Sequence, residues 1–166
     1  MDFLKDKKYR NIIYINVISL FFAIVAYYYF DKIEILTAII ATGISISIGI
    51  SKLQIENDKI FKELFMEFNN KYDKKYNDKL NIICKKGKVE EDEISLIIDY
   101  LNFSAEEYLW YKKNRIDKIV WESWKNGIIY YLNNDAINKI IIKEKEQENS
   151  YYGLFDEIGD KINNWR

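Results

Sequence analysis

Residues 11–30, NIIYINVISLFFAIVAYYYF, restrict the fold more than any other part of the chain, because they carry no Asp, Glu, Lys or Arg. At about 1.5 Å per helical residue they reach roughly 30 Å, the thickness of a bilayer's hydrocarbon core. A polar stub, residues 31–34, separates them from a second uncharged stretch, residues 35–51. The pair predicts a transmembrane helical hairpin over residues 1–52, with a helical domain over residues 53–166. A cleaved signal peptide fits less well. The first stretch outruns a signal core and ends in Tyr27, Tyr28, Tyr29 and Phe30 instead of small residues. Tyrosines at that place suit the membrane interface. A buried hairpin in a soluble protein fits poorly too, because 166 residues supply too little core to wrap two such helices.

The second stretch is rich in small and hydroxyl residues. Ala38, Thr42, Ser45 and Gly49 step by four, three and four, which sets them along one helix face. Gly43 and Ser47 form a second close pair. Helices in lipid associate through small residues and interhelical hydrogen bonds, since no hydrophobic force separates them from the acyl chains. The stripe is therefore read in two ways: as the packing face towards the first span, or as a seam between copies in a homo-oligomer. Asn16 is polar at membrane depth and is expected to face protein.

Charge sets the orientation. Lys5, Lys7, Lys8 and Arg10 precede the first span, and Lys52, Lys59 and Lys62 follow the second, whereas the stub offers only Lys32. The positive-inside rule then puts both termini in the cytoplasm. Net charge over the whole chain is -1, so direct nucleic-acid binding is not expected.

Beyond the spans, Phe61, Phe65, Phe68, Tyr72, Tyr76, Leu80 and Ile83 recur at three- and four-residue steps. They predict an amphipathic helix that continues the second span as a stalk. Gly87 among lysines marks its end, and Glu90, Glu91, Asp92 and Glu93 suit the first turn of the next helix. That helix runs to about Lys113; a break at Asn102–Ser104 is the alternative, since Ser104 and Glu107 match a capping box. Asp117 is the expected N-cap of a helix over residues 119–132, and two shorter helices follow, residues 136–148 and 154–165. No strand alternation stands out, and the whole chain reads as all-α.

The chemistry argues against an enzyme. There is no His, which removes the commonest general base and metal ligand, and the one Cys, Cys84, has no such partner. The acidic runs sit at adjacent positions that do not face each other on a helix. No Gly-rich phosphate loop occurs, and no catalytic residue, cofactor or metal site is assigned. Tyr108, Tyr111, Arg115, Trp121 and Trp124 are the candidate contacts for a ligand or partner. Aromatic faces and one guanidinium suit stacking plus anion contact. The competing reading makes the same aromatics the core of a small helical domain.

Residues 97–132, IIDYLNFSAEEYLWYKKNRIDKIVWESWKNGIIYYL, resemble a pattern in small bacterial two-span membrane proteins. A helix ending in aromatics and Lys meets a short turn, then a helix with a spaced Trp pair and a Gly, here Trp121, Trp124 and Gly127. Such proteins are similar to the membrane effectors encoded beside CRISPR and retron antiphage defence systems. The resemblance implies an inner-membrane effector of antiviral defence that oligomerises and perturbs the bilayer or forms a pore. A cytoplasmic defence-system protein is its implied partner. The alternative is a passive anchor whose helical domain binds a cytoplasmic partner or a small ligand.

Overall fold

The computed structural model describes residues 7–146 and 150–162. The protein is all-α, and no strand occurs among the described residues. Its elements are α1 (Lys7–Phe30), α2 (Ile33–Lys71), α3 (Asp78–Lys86), α4 (Ile94–Lys112), α5 (Lys118–Leu132), α6 (Asp135–Lys145) and α7 (Leu154–Ile158). Lys5 and Trp165, and the end of the expected 136–148 helix at Glu148, lie outside the described residues. The chain divides into two compact units, residues 1–59 and 60–166. The division falls beyond the 52/53 boundary expected from hydropathy, and α2 contributes residues to both units.

In the first unit, α1 and α2 are each long and apolar enough to cross a membrane. Asp31, at positive φ, turns the chain between them, and its N–H bonds the Tyr27 carbonyl at 2.8 Å. The buried and half-buried positions include Ile12, Asn16, Ser19, Ala23 and Ala26 on α1, and Leu36, Ile40, Gly43, Ser47 and Ile50 on α2. Both series step alternately by four and three, the spacing of a helix pair packed along one seam. Large apolar side chains point away from it: Val17, Leu20, Phe21, Phe22, Ile24 and Ile48 are all exposed.

In the second unit the expected amphipathic helix does form, with one interruption. Between α2 and α3, residues Tyr72–Asn77 adopt a π-helix. Phe68, Tyr72, Tyr76 and Leu80 are spaced by three successive fours. In an ideal α-helix each such step drifts about 40°, so three would rotate the last residue out of the apolar face. The wider turn takes up that drift, and Phe68, Tyr76 and Leu80 are all buried in one core. The segment is thus not a bare stalk but one wall of the unit.

Gly87 ends α3 in the left-handed region, φ 64°, and its N–H bonds the Ile83 carbonyl at 3.1 Å. That conformation is open to Gly without a Cβ penalty. Glu90 and Glu93 close a reciprocal capping box at the start of the next helix. The helix to about Lys113 forms without the alternative break at Asn102–Ser104. The Ser104 hydroxyl is fully buried and donates to the Tyr100 carbonyl at 2.9 Å, inside an uninterrupted α4. A hydroxyl that can satisfy itself against the preceding turn does not need to cap a new helix. Asp117 and Asn134 cap α5 and α6, accepting from the N–H groups of Ile119 and Ala136. Helix α4 lies at the centre and packs on α5, α6 and α7. Its Ile97, Leu101 and Phe103 join Trp121, Ile128, Ile137, Leu154 and Ile158 in the core.

Candidate functional site

The proposed contact residues do not form one group. Trp121 is fully buried, with Tyr111 stacked on it at 5.4 Å between ring centroids and Tyr108 tilted against it at 5.2 Å. These three rings are interior packing between α4 and α5. The Trp121 indole N–H points to the Glu157 carboxylate of α7 at 3.4 Å. Glu157 also accepts from Lys125 at 3.0 Å, and Lys125 donates to Glu122 at 2.7 Å. Lys125 is only 5% exposed. Burial works to lower its pKa, yet the hydrogen bonds to Glu122 and Glu157 outweigh it and raise the value. Arg115 sits in the α4–α5 turn, half-buried, with its backbone N–H on the Trp110 carbonyl.

Trp124 stands apart, on the next turn of α5. Its ring stacks on Phe65 at 6.1 Å and meets Phe68 edge-on at 5.7 Å. It borders a pocket of about 170 Å³ walled by the end of α2, the π-helix, α4 and α5. Tyr72, Tyr100, Phe103 and Trp124 give it aromatic walls, and Gly127 leaves an opening in α5 where a Cβ would meet nothing within 4 Å. The π-helix places Tyr72. Its hydroxyl is 2.9 Å from that of Tyr131, and both reach an asparagine pair, Asn77 and Asn81.

The charged residue lining this pocket is Glu107, which the sequence offered as the capping-box partner of Ser104 and as part of an acidic run. It is 5% exposed, and no described residue hydrogen-bonds its carboxyl. Burial pushes its pKa well above the ordinary carboxylate range; positive Lys71 opposes this and neighbouring Glu106 adds to it. Lys71 itself pairs with Glu106 at 3.4 Å. The sequence signal was available in outline: Phe103 and Glu107 are one turn apart, so Glu107 falls on the apolar face of α4 while Glu106 falls outside.

In the first unit the stripe Ala38, Thr42, Ser45 and Gly49 is exposed and is not the face that meets α1. The meeting face carries Gly43 and Ser47. Asn16 donates to the Ser47 hydroxyl at 2.8 Å, and Ser47 donates on to the Gly43 carbonyl at 2.9 Å. A Cβ on Gly43 would collide with the Ser19 side chain, so only glycine permits this approach. Thr42 and Ser45 return their hydroxyls to the carbonyls of Ala38 and Ala41 in their own helix. Ala38 and Thr42 also border an open groove of about 590 Å³ beside Ser19 and Phe22.

No protein-family model, no curated protein and no solved structure matches the chain. Among the described residues no three His, Cys, Asp or Glu side chains gather as metal ligands.

Proposed function

We propose that the first unit is a transmembrane hairpin and that the helical unit is a cytoplasmic ligand-binding module tethered to the inner membrane. The observation that carries the membrane placement is the inversion of the hairpin. Its seam holds the polar side chains of Asn16, Ser19 and Ser47 at buried or half-buried positions, while the large apolar side chains of Val17, Leu20, Phe21, Phe22, Ile24 and Ile48 stand exposed. Water would penalise that arrangement by about 25 cal/mol for each exposed apolar Å². Lipid removes the penalty and rewards the interhelical hydrogen bond. Exposed Tyr27, Tyr28 and Tyr29 at the end of α1 suit the interface. The Lys/Arg asymmetry supports cytoplasmic termini.

The test is labelling of Asp31→Cys in a Cys84→Ser background with a membrane-impermeant maleimide on intact cells. Labelling at residue 31 from outside, with the protein resisting alkaline carbonate extraction, is the expected result. Extraction by carbonate sinks the membrane reading.

A second reading keeps the hairpin and makes it the working part, as a homo-oligomeric effector of antiviral defence that perturbs the membrane or forms a pore. The exposed stripe of Ala38, Thr42, Ser45 and Gly49 favours it, because close contact with another helix is open there. Membrane potential after induced expression tests it. Depolarisation by the full chain that Gly49→Leu abolishes is expected; depolarisation unchanged by Ser45→Leu and Gly49→Leu refutes the stripe.

A further inference from the structure

The geometry points to a small alkylammonium ion as the ligand of the Glu107 pocket, held by the carboxylate at the base and by the aromatic walls of Tyr72, Phe103 and Trp124. This rests on the reading that the pocket is a binding site, and it adds the chemical class of the ligand.

Four observations converge on that class. The first is an unmatched buried acid: Glu107 lies at the pocket with no hydrogen-bond partner among the described residues, while the neighbouring Lys71 is already paired with Glu106. A buried carboxyl left alone is costly unless something completes it. Second, no Lys or Arg lines the pocket, so an anionic ligand would find no opposite charge among the lining residues. Third, the walls are π-faces, which attract a desolvated organic cation. Trp124 is held in place by Phe65 and Phe68, so its wall is formed before any ligand arrives. Fourth, one carboxylate among aromatic rings is too few oxygens for Ca²⁺ or Mg²⁺, which require six or more. The volume of about 170 Å³ holds a compact ligand and not a single water.

Binding changes the protonation of the acid. In the empty pocket burial favours the protonated acid. An arriving ammonium group stabilises the carboxylate, so the acid releases its proton to solvent and the pair becomes a charge-assisted contact.

The experiment uses the full chain in a non-ionic maltoside detergent, with choline and its neutral carbon isostere 3,3-dimethylbutan-1-ol as probes. Saturation-transfer NMR on the nine equivalent methyl protons of each reads binding of both on one scale. The expected result is saturable choline binding, weakened about tenfold or more by Glu107→Gln, with the isostere much weaker and indifferent to that change. Gly127→Leu, which fills the opening in α5, abolishes choline binding. If choline and the isostere bind equally and Gly127→Leu abolishes both, the pocket stands and the cation is wrong. If neither probe shows binding that Gly127→Leu removes, both the cation and the pocket reading fall. The comparison of the two probes on the unaltered protein decides the ligand class even where Glu107→Gln does not fold.

Discussion

The Asn16 side-chain amide donates to the Ser47 hydroxyl at 2.8 Å and to its own Ile12 carbonyl at the same distance. One polar side chain thereby satisfies both of its N–H groups inside an otherwise apolar helix pair. Asn16→Leu is expected to weaken the pairing of α1 and α2 by about 0.6–1.7 kcal/mol, the range for single hydrogen bonds between helices in lipid. Gly43→Leu is expected to cost more, because it drives a side chain into Ser19. Unfolding by SDS titration from maltoside micelles measures both. Equal stability of Asn16→Leu and the unaltered protein would show that the bond adds nothing.

The exposed stripe makes the opposite prediction. Ser45→Leu and Gly49→Leu are expected to leave the same SDS unfolding midpoint unchanged, since both residues are exposed and a Cβ on Gly49 would meet nothing within 4 Å. Under the effector reading they shift the protein from oligomer to monomer in analytical ultracentrifugation. An oligomer that survives both changes would place the contact elsewhere.

Glu107 predicts a pH dependence whose sign follows from its raised pKa in the folded state. The folded protein keeps a proton that the unfolded chain has already released. The associated stability is complete below the ordinary glutamate range and is lost as pH rises towards the folded pKa. The slope for one such group is at most about 1.4 kcal/mol per pH unit. Glu107→Gln removes it, so the variant is expected to lose less stability than the unaltered protein between pH 5 and about pH 8. Denaturant melts across that range decide; parallel profiles would mean that Glu107 ionises normally.

Lys125 holds α5 to α7 through Glu157 and is nearly buried while doing so. Lys125→Met is expected to destabilise the protein by about 1–3 kcal/mol, less than a fully buried pair because both acids retain some solvent. Adding Glu157→Leu is expected to recover part of that loss, since an apolar pair replaces a stranded carboxylate. Thermal melts of the single and double variants form the cycle.

Gly127 sits in the interior of α5 with open space where a Cβ would go. Gly127→Ala is expected to stabilise the protein by up to about 1 kcal/mol, the usual helix penalty of glycine. No gain in the melting temperature would mean that a backbone contact at this position offsets the propensity.

Helices and their ends were legible where a local rule decides them. Gly87 and Asp117 read correctly because capping depends on a few neighbouring backbone groups. Ser104 left two readings open because the same Ser-x-x-Glu pattern occurs in mid-helix, and only burial of both residues in the core separates the two cases. The aromatic candidates shared a short stretch of sequence, but one helix turn on α5 divides Trp121, sealed in the interior, from Trp124 at a pocket wall.

The sequence by itself determined that the chain is all-α and that it begins with two helices long and apolar enough to cross a membrane. Both follow from length, charge and period along one stretch of chain. Two choices belonged to the tertiary structure. In α2 the series through Gly43 and Ser47 and the series through Ala38, Thr42, Ser45 and Gly49 have the same period, so periodicity could not rank them. Asn16 and Ser19 of α1 chose the first, by a hydrogen bond and by a contact that only glycine allows. Likewise Glu106 and Glu107 are chemically alike, and α5 packing against α4 left one in solvent beside Lys71 and enclosed the other among aromatic rings. Neighbours in space, not in sequence, set the solvation of a side chain, and solvation decides whether a carboxylate is an ordinary surface charge or the base of a pocket.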